Sequence, residues 1–318
     1  MKKYLKILTI LTFLFFNMQV FGQGYTGNDG WEDSAFRNMQ KIPSHVTMQF
    51  INCNLGGGTG GGGTSGGGGG TTINRTLMTY NIKRWHYGKN GDIIKSAGAH
   101  VCAVQEIVKG GISCKWSKLK NRAGMDGEFC WTMHFGIYTY GIGLLYKTSV
   151  VGSPSQVIEE RVDTSSPNIF EDDTNRAFII AEFSNFIFAS THVGGNNEDK
   201  TKIINRMFNK INLNSTKRIF IAGDMNFQPK DSNTLNELFT EKNFEVLNSE
   251  ALDPENNNFY HPNHQTTYKT KKMIDLIYGK KHIPMKYEVT WRGIPSTTPS
   301  VSSNLSDHKP YVVKVKFQ

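Results

Sequence analysis

Residues 178–190, FIIAEFSNFIFAS, hold the clearest fold signal in the sequence. Two apolar runs, 178–183 and 186–190, each have the length of a buried strand, and Ser184 with Asn185 predicts a tight turn between them. A helical pattern follows at 200–213, and another apolar strand follows at 218–222. This order of elements predicts a layered α/β domain in which helices cover β-sheets.

The same pattern extends on both sides of this segment. Further strands are predicted at 76–82, 101–104, 273–278 and 311–317, and further helices at 92–99 and 234–239. Strands therefore outnumber helices, and no internal repeat is present.

Composition and charge narrow the class of protein. The 318 residues are 38% hydrophobic and 12% aromatic, which excludes a wholly disordered or fibrous chain. A mean hydropathy of -0.42 excludes a polytopic membrane protein. The net charge is +9, and residues 56–318 carry 31 basic against 24 acidic residues. A basic surface suits nucleic acid or an anionic membrane face; a basic protein without such a partner is the alternative.

The N-terminal residues predict export. Lys2 and Lys3 precede an apolar run at 7–16, and small or apolar residues precede Gln23. This pattern is typical of a cleaved signal peptide at 1–22, with an uncleaved anchor helix as the alternative. We therefore expect a secreted or periplasmic protein.

Three segments follow the predicted signal peptide. Residues 23–55 are too few to fold alone and form a short extension. Residues 56–70, GGGTGGGGTSGGGGG, predict a flexible linker. Residues 71–318 have the length of one domain, the predicted catalytic domain.

The cysteines indicate no structural zinc site, because neither a CxxC pair nor a His/Cys cluster is present. Cys102 lies in a predicted apolar strand and is expected to be a buried free thiol. In an exported protein, Cys114 and Cys130 could form a disulfide.

Acidic, amide and histidine residues recur at the ends of predicted strands. One such residue usually caps or turns the chain, but six places together indicate a site. They are marked by Asn81, Glu106, His192, Asp224 with Asn226, Asp275, and Asp307 with His308.

These residue types point to phosphoester hydrolysis. Glu106, Asp307 and the amide oxygen of Asn81 are ligands for a hydrated Mg²⁺, Mn²⁺ or Ca²⁺ ion. Histidines suit proton transfer near neutral pH, and Asp224 with Asn226 could orient a water molecule. A metal, a water and two imidazoles are the groups that this reaction needs.

Six short motifs also carry a family resemblance. In order they are TYNIK (79–83), VQE (104–106), THV (191–193), GDMN (223–226), MIDLIY (273–278) and SDHKP (306–310). Across 75–317 the chain resembles the endonuclease/exonuclease/phosphatase superfamily, typified by deoxyribonuclease I. The resemblance implies a four-layer sandwich of two packed β-sheets flanked by helices, and metal-dependent hydrolysis of phosphodiesters or phosphomonoesters.

The resemblance also implies a metal and a water site. Glu106 matches the metal-binding glutamate of the family, supported by Asn81 and Asp307. Asp224 matches the residue that orients or deprotonates the attacking water, and Asn226 matches its phosphate- or water-binding neighbour.

The remaining implied roles concern imidazole and phosphate. His308 matches the catalytic histidine and Asp275 the carboxylate that orients it, while His192 matches the second histidine. Arg176 stands in the place of a phosphate-binding arginine, with an ordinary salt bridge as the alternative. Two features depart from the family: no glutamate partner for His192 is evident, and Ile142 stands where many relatives have asparagine.

Three functions are consistent with these observations. The basic domain and predicted export favour a nuclease acting on DNA, with RNA as a further substrate. A sphingomyelinase-like, inositol-phosphate or small phosphoester hydrolase is the alternative, with Trp291 as the only sign of membrane contact. A non-enzymatic binding module is the third, although a binder need not retain the acids and histidines. We expect a monomer with a nucleic acid substrate and no obligate protein partner.

Overall fold

The computed structural model describes residues 72–83, 86–110, 115–135, 138–164, 175–229, 233–248, 265–268, 270–281 and 286–318. The predicted signal peptide, extension and Gly-rich linker (1–70) lie outside the described residues, as does Cys114. The division of the chain into these segments and a catalytic domain at 71–318 therefore stays a prediction.

Strands dominate the described part of the chain. They are β1 (Ile73–Asn81), β2 (Val101–Gly110), β3 (Asp126–Phe135), β4 (Tyr138–Tyr146), β5 (Gln156–Asp163), β6 (Asn175–Glu182), β7 (Phe186–His192), β8 (Arg218–Asp224), β9 (Phe244–Val246), β10 (Asp275–Lys280), β11 (Tyr287–Gly293) and β12 (Tyr311–Phe317). The helices are α1 (Tyr87–Ser96), α2 (Lys115–Ala123), α3 (Thr148–Val151), α4 (Asn197–Lys210) and α5 (Asn233–Thr240).

The strands form two mixed six-stranded sheets, in the orders β11–β12–β1–β2–β4–β3 and β5–β6–β7–β8–β10–β9. Their facing sides share one hydrophobic core, to which Leu77 and Leu144 belong from the first sheet and Phe186 and Phe188 from the second. Helices α4 and α5 cover the other face of the second sheet with a separate core. Helices α1 and α2 pack together, and α2 packs against β2 of the first sheet. The predicted four-layer α/β sandwich is confirmed.

The strands and helices predicted from the sequence are present, with bounds shifted by a few residues. Five strands and one helix of more than four residues were not predicted: β3, β4, β5, β9, β11 and α2. Strand β4 contains Gly141 and Gly143, which weaken a strand pattern, and β5 is an edge strand with polar, exposed positions. Helix α2 buries only Trp116, Leu119 and Ala123 of its nine residues.

Two other observations concern the cysteines and the helices. Cys102 is a buried free thiol, as predicted, and Cys130 is also a buried free thiol; the proposed Cys114–Cys130 disulfide involves Cys114, which lies outside the described residues. Among the described residues, no helix is both long enough and apolar enough to span a bilayer.

The register of the second sheet places three predicted site residues side by side. Strand β7 runs parallel to β8 with His192 opposite Asp224. Strand β10 runs antiparallel on the other side of β8, with Asp275 opposite the same Asp224. The ends of β7 and β8 and the beginning of β10 therefore meet at one edge of the sheet.

This edge depends on close contact between β7 and β8 at Gly223. A Cβ atom at Gly223 would lie 2.0 Å from the backbone oxygen of Thr191. We predict that Gly223→Ala lowers the free energy of unfolding by about 1–3 kcal/mol, because the strands must separate. Gly88→Ala in α1 is the control, since its Cβ would meet only the end of a lysine side chain at 3.4 Å. Urea unfolding of both variants measures the difference, and equal losses would contradict this explanation.

Candidate active site

The first sheet contributes Asn81 and Glu106 from neighbouring strands. Asn81 ends β1 opposite Gln105 of β2, so Glu106 follows directly. Glu106 has a φ of 55°, at the position where the β2–β4 register shifts. Bulges of this kind redirect a side chain. Here Glu106 Oε1 accepts a hydrogen bond from Asn81 Nδ2 at 2.9 Å.

The Asn81 side chain links the two sheets. Its Nδ2 also donates to Asp224 Oδ2 of β8 at 3.1 Å. Its Oδ1, the atom predicted to face a metal, accepts from the backbone N–H of Lys83 at 3.1 Å. In this arrangement Asn81 positions two carboxylates, and its role as a metal ligand stays a prediction.

The turn after β8 joins Asp224 to the end of β7. Asp224 is buried, and its Oδ1 accepts from the Asn226 backbone N–H at 3.0 Å. Asn226 has a φ of 50°, which asparagine adopts more readily than most residues. Its Nδ2 donates to the Val193 backbone oxygen at 2.9 Å and lies 3.2 Å from His192 Nε2.

Asp275 and His308 form a buried hydrogen-bonded pair, as the resemblance implied. Asp275 Oδ2 lies 2.7 Å from His308 Nδ1. The Asp275 backbone N–H donates to Thr266 Oγ1 at 3.2 Å, and its backbone oxygen accepts from Asn248 Nδ2 at 2.9 Å. These contacts fix the backbone of Asp275, from which the carboxylate extends towards His308.

A serine fixes His308 from its other side. The His308 backbone N–H donates to Ser306 Oγ at 3.0 Å, and Ser306 Oγ donates to the Asn81 backbone oxygen at 2.6 Å. The sequence analysis assigned no role to Ser306, Thr266 or Asn248. Of the three, only Ser306 could have been identified from the sequence, because it belongs to the SDHKP motif.

Neighbouring charges and burial shift the pKa values of Asp224 and His308. Burial raises the pKa of Asp224 to about 7, with His308 opposing this rise and Asp275 adding to it. Burial lowers the pKa of His308, but Asp275, Asp224 and Glu106 outweigh burial and raise it to about 10. His308 is therefore an imidazolium between carboxylates. Ligand atoms of Asp224, Asp275 and His308 lie within 4.8 Å of one another, but an imidazolium has no lone pair to offer a metal ion, so this cluster is not a metal site while His308 is protonated.

His192 lies on the other side of Asp224. Its Nε2 is 3.6 Å from Asp224 Oδ2, and its Nδ1 is 3.2 Å from Arg176 Nη1. Because a guanidinium only donates, Nδ1 of His192 is the acceptor in that contact. Asp224 therefore lies close to His192 as well as to His308. Ile142 is buried in the core between the sheets.

Asp307 lies at the mouth of the site. Its side chain is 43% exposed, and its Oδ2 is 3.8 Å from Lys83 Nζ. The backbone of Lys83 in turn contacts Asn81. The structure thus brings all of the predicted residues together: eight in one network of side-chain contacts, and Asp307 at its edge through Lys83.

Comparison with known proteins gives a fold and little sequence similarity. No protein-family model and no curated protein matches the sequence. Among solved structures, an endonuclease/exonuclease/phosphatase from Beutenbergia cavernae has a TM-score of 0.59 and 13% identity, over 77% of this chain and 72% of that chain. The human Nocturnin catalytic domain with bound sulfate has a TM-score of 0.55 and 16% identity, over 77% and 94%. ANGEL2, a 2',3'-cyclic phosphatase, has a TM-score of 0.51 and 14% identity, over 77% and 95%.

These structures are similar to this chain in fold at 13–16% sequence identity, which confirms the resemblance at the level of the fold. By its architecture this chain is a protein of the endonuclease/exonuclease/phosphatase, or deoxyribonuclease I-like, fold.

Proposed function

We propose that this protein is an exported, metal-dependent phosphodiesterase, a nuclease that hydrolyses DNA, with RNA as a further substrate. One observation carries the proposal. The Asp275–His308 pair, with Oδ2 and Nδ1 2.7 Å apart, lies beside the buried Asp224. At this edge the second sheet contributes these two aspartates and the first sheet contributes Glu106. The fold is that of phosphoester hydrolases.

The contacts around Asp224 support a separate role for each neighbouring side chain. Its Oδ2 is 3.7 Å from His308 Nε2 and 3.6 Å from His192 Nε2, so a water at Asp224 has an imidazole on either side. Asp224 orients this water and accepts its proton. His308, held by Asp275, donates from Nε2 to a phosphoryl oxygen and stabilises the charge that develops there.

The His192 side of the site is suited to bind phosphate. Arg176 is buried, and its guanidinium packs against the backbone of Gly194, where a Cβ atom would lie 2.1 Å from Nη2. Asn226 Nδ2 adds a neutral donor 3.2 Å from His192 Nε2. We assign phosphate binding to Arg176, Asn226 and the Nε2–H of His192, and the proton that Asp224 takes from the water passes on to the leaving oxygen.

The donor set fits a hard divalent cation. Glu106 and Asp307 offer carboxylate oxygens, which Mg²⁺ prefers, and both side chains are only partly buried. Oδ2 of Asp275 is occupied by His308, so Glu106 and Asp307 are the residues that would hold Mg²⁺, with Mn²⁺ or Ca²⁺ as alternatives. Such an ion, when bound, neutralises charge on the phosphoryl oxygens.

The first prediction from the proposed function concerns the choice of substrate. The basic domain attracts a polyanion, so purified protein with Mg²⁺ should degrade plasmid DNA faster than RNA and leave sphingomyelin and inositol phosphates unchanged. Product analysis of the four substrates in parallel measures this. Turnover of a lipid or inositol phosphate without cleavage of nucleic acid would favour the alternative hydrolase, and His308→Ala is the inactive control.

The second prediction concerns the metal ion that hydrolysis requires. EDTA should abolish hydrolysis and Mg²⁺ or Mn²⁺ should restore it, since the ligands are oxygens. Glu106→Gln should lower kcat by about 10²-fold or more while the thermal unfolding temperature stays close to wild type. The control is Glu128→Gln on β3, which removes a carboxylate bonded to Tyr146 Oη. Restoration by Zn²⁺ alone, or full activity of Glu106→Gln, would contradict the assignment.

The third prediction concerns the Asp275–His308 pair. His308→Ala should lower kcat by about 10²–10⁴-fold, and Asp275→Asn by less, because the imidazole stays in place without its charged partner. The double variant should be little worse than His308→Ala, since the two residues act as one unit. Asp92→Asn, which breaks a surface pair with Arg122, is the control. Multiplicative losses in single-turnover kinetics would show that the two residues act independently.

A further inference from the structure

Two lysines lie beside the site on opposite sides of β8. Lys200 is in α4, which follows β7, and Lys272 lies three residues before β10. Strands β7 and β10 are the two neighbours of β8. Both lysines therefore lie in segments that leave the sheet at the edge where Asp224 lies.

Lys200 is held towards this edge. Its Nζ donates to the backbone oxygen of Asn226 at 2.9 Å, and the Asn226 side chain contacts His192. An ammonium group carries three hydrogens, so this contact leaves two that can serve a ligand. Two residues further along α4, Lys202 is directed elsewhere, because its Nζ donates to the Asp163 backbone oxygen at 2.7 Å.

Lys272 projects from a fixed turn. Its backbone N–H donates to Thr267 Oγ1 at 2.8 Å, and its backbone oxygen accepts from the N–H groups of Thr266 and Thr267 at 2.9 and 3.1 Å. Its side chain is exposed. The base of this side chain is therefore fixed while the ammonium end is free to meet a ligand.

The two lysines share one electrostatic field with the site. Burial lowers the pKa of Lys200, Asp224 raises it, and the positive charges of Arg176 and Lys272 lower it. Arg176 and Lys272 therefore each lie close enough to Lys200 to repel its positive charge, while Asp224 attracts it. Such crowding is unfavourable in the free protein and is relieved when an anion binds.

We propose that Lys200 and Lys272 form a second phosphate subsite, which holds the phosphate next to the one that is cleaved. This inference rests on the proposed function and deepens it. With Arg176 and Asn226 assigned to the reacting phosphate, Lys200 and Lys272 are two further cations that fit a second phosphate next to it in the substrate. A polynucleotide offers this second phosphate, whereas an isolated phosphodiester does not.

The test compares two substrates and three variants. Lys200→Met and Lys272→Met should each raise KM for a five-nucleotide oligothymidylate about tenfold, the effect of one charge-assisted hydrogen bond. Neither should change kcat/KM for bis(p-nitrophenyl) phosphate, which has a single phosphate. Each should also reduce the slope of log KM against log salt by about 0.7. Lys202→Met is the matched control and should leave all three quantities unchanged.

Several outcomes would overturn the subsite. One is an equal loss of kcat/KM on both substrates in the Lys200→Met and Lys272→Met variants. Another is an unchanged KM for the oligonucleotide. The third is a rise in that KM in Lys202→Met as large as the rise in Lys200→Met. Circular dichroism of each variant checks that it is folded, and Lys200→Arg, which keeps the charge, should restore most of the oligonucleotide affinity.

Failure of the proposed function would look different, because the wild-type protein would then turn over neither substrate. In that case, fluorescence anisotropy of labelled oligothymidylate in EDTA measures binding alone. A Kd that rises about tenfold in Lys200→Met and Lys272→Met supports the subsite. An unchanged Kd, or no binding to the wild-type protein, overturns it.

Discussion

One amide group, the Asn81 side chain, determines how the two sheets combine at the site. Its Nδ2 donates to Glu106 on the first sheet and to Asp224 on the second, while its Oδ1 is held by the Lys83 backbone. The backbone oxygen of the same residue accepts from Ser306, which in turn positions His308. The parts of the candidate site that lie on the two sheets are therefore held in one geometry by a single residue.

The same geometry places two buried carboxylates, Asp224 and Asp275, next to each other. Asp224 and Asp275 face each other across neighbouring strands, and both are buried, so two negative charges would repel one another in a medium of low dielectric. His308 counters this repulsion, because its imidazolium is 2.7 Å from Asp275 and 3.7 Å from Asp224. The donors Asn81 and the Asn226 backbone reduce the cost further.

The strands and site residues that depend on a local sequence pattern could be predicted from the sequence. Apolar runs identified most core strands, and polar residues at their ends identified Asn81, His192 and Asp224, because parallel neighbours bring such ends to one edge. Asp275 reaches the same edge because it begins the antiparallel strand β10. The left-handed backbone of Glu106 could not be predicted, since it arises from a register shift against β4, which had itself no clear strand pattern. The supporting contacts of Thr266 and Asn248 depend on tertiary packing, and neither residue lies in a recognisable motif.

The same features bear on whether the protein is an enzyme or a binder. A module that only holds a polyanion needs exposed cations, and Lys200 and Lys272 would suffice for that. This site also buries two carboxylates and an imidazolium, and it holds Glu106 and Asn226 at positive φ, which costs about 1–3 kcal/mol per strained residue. Binding an anion gains nothing from buried negative charge, which repels it. Activation of water does gain from a buried carboxylate, because the proton of the water must pass to a fixed base. This is the physical reason to prefer hydrolysis over binding.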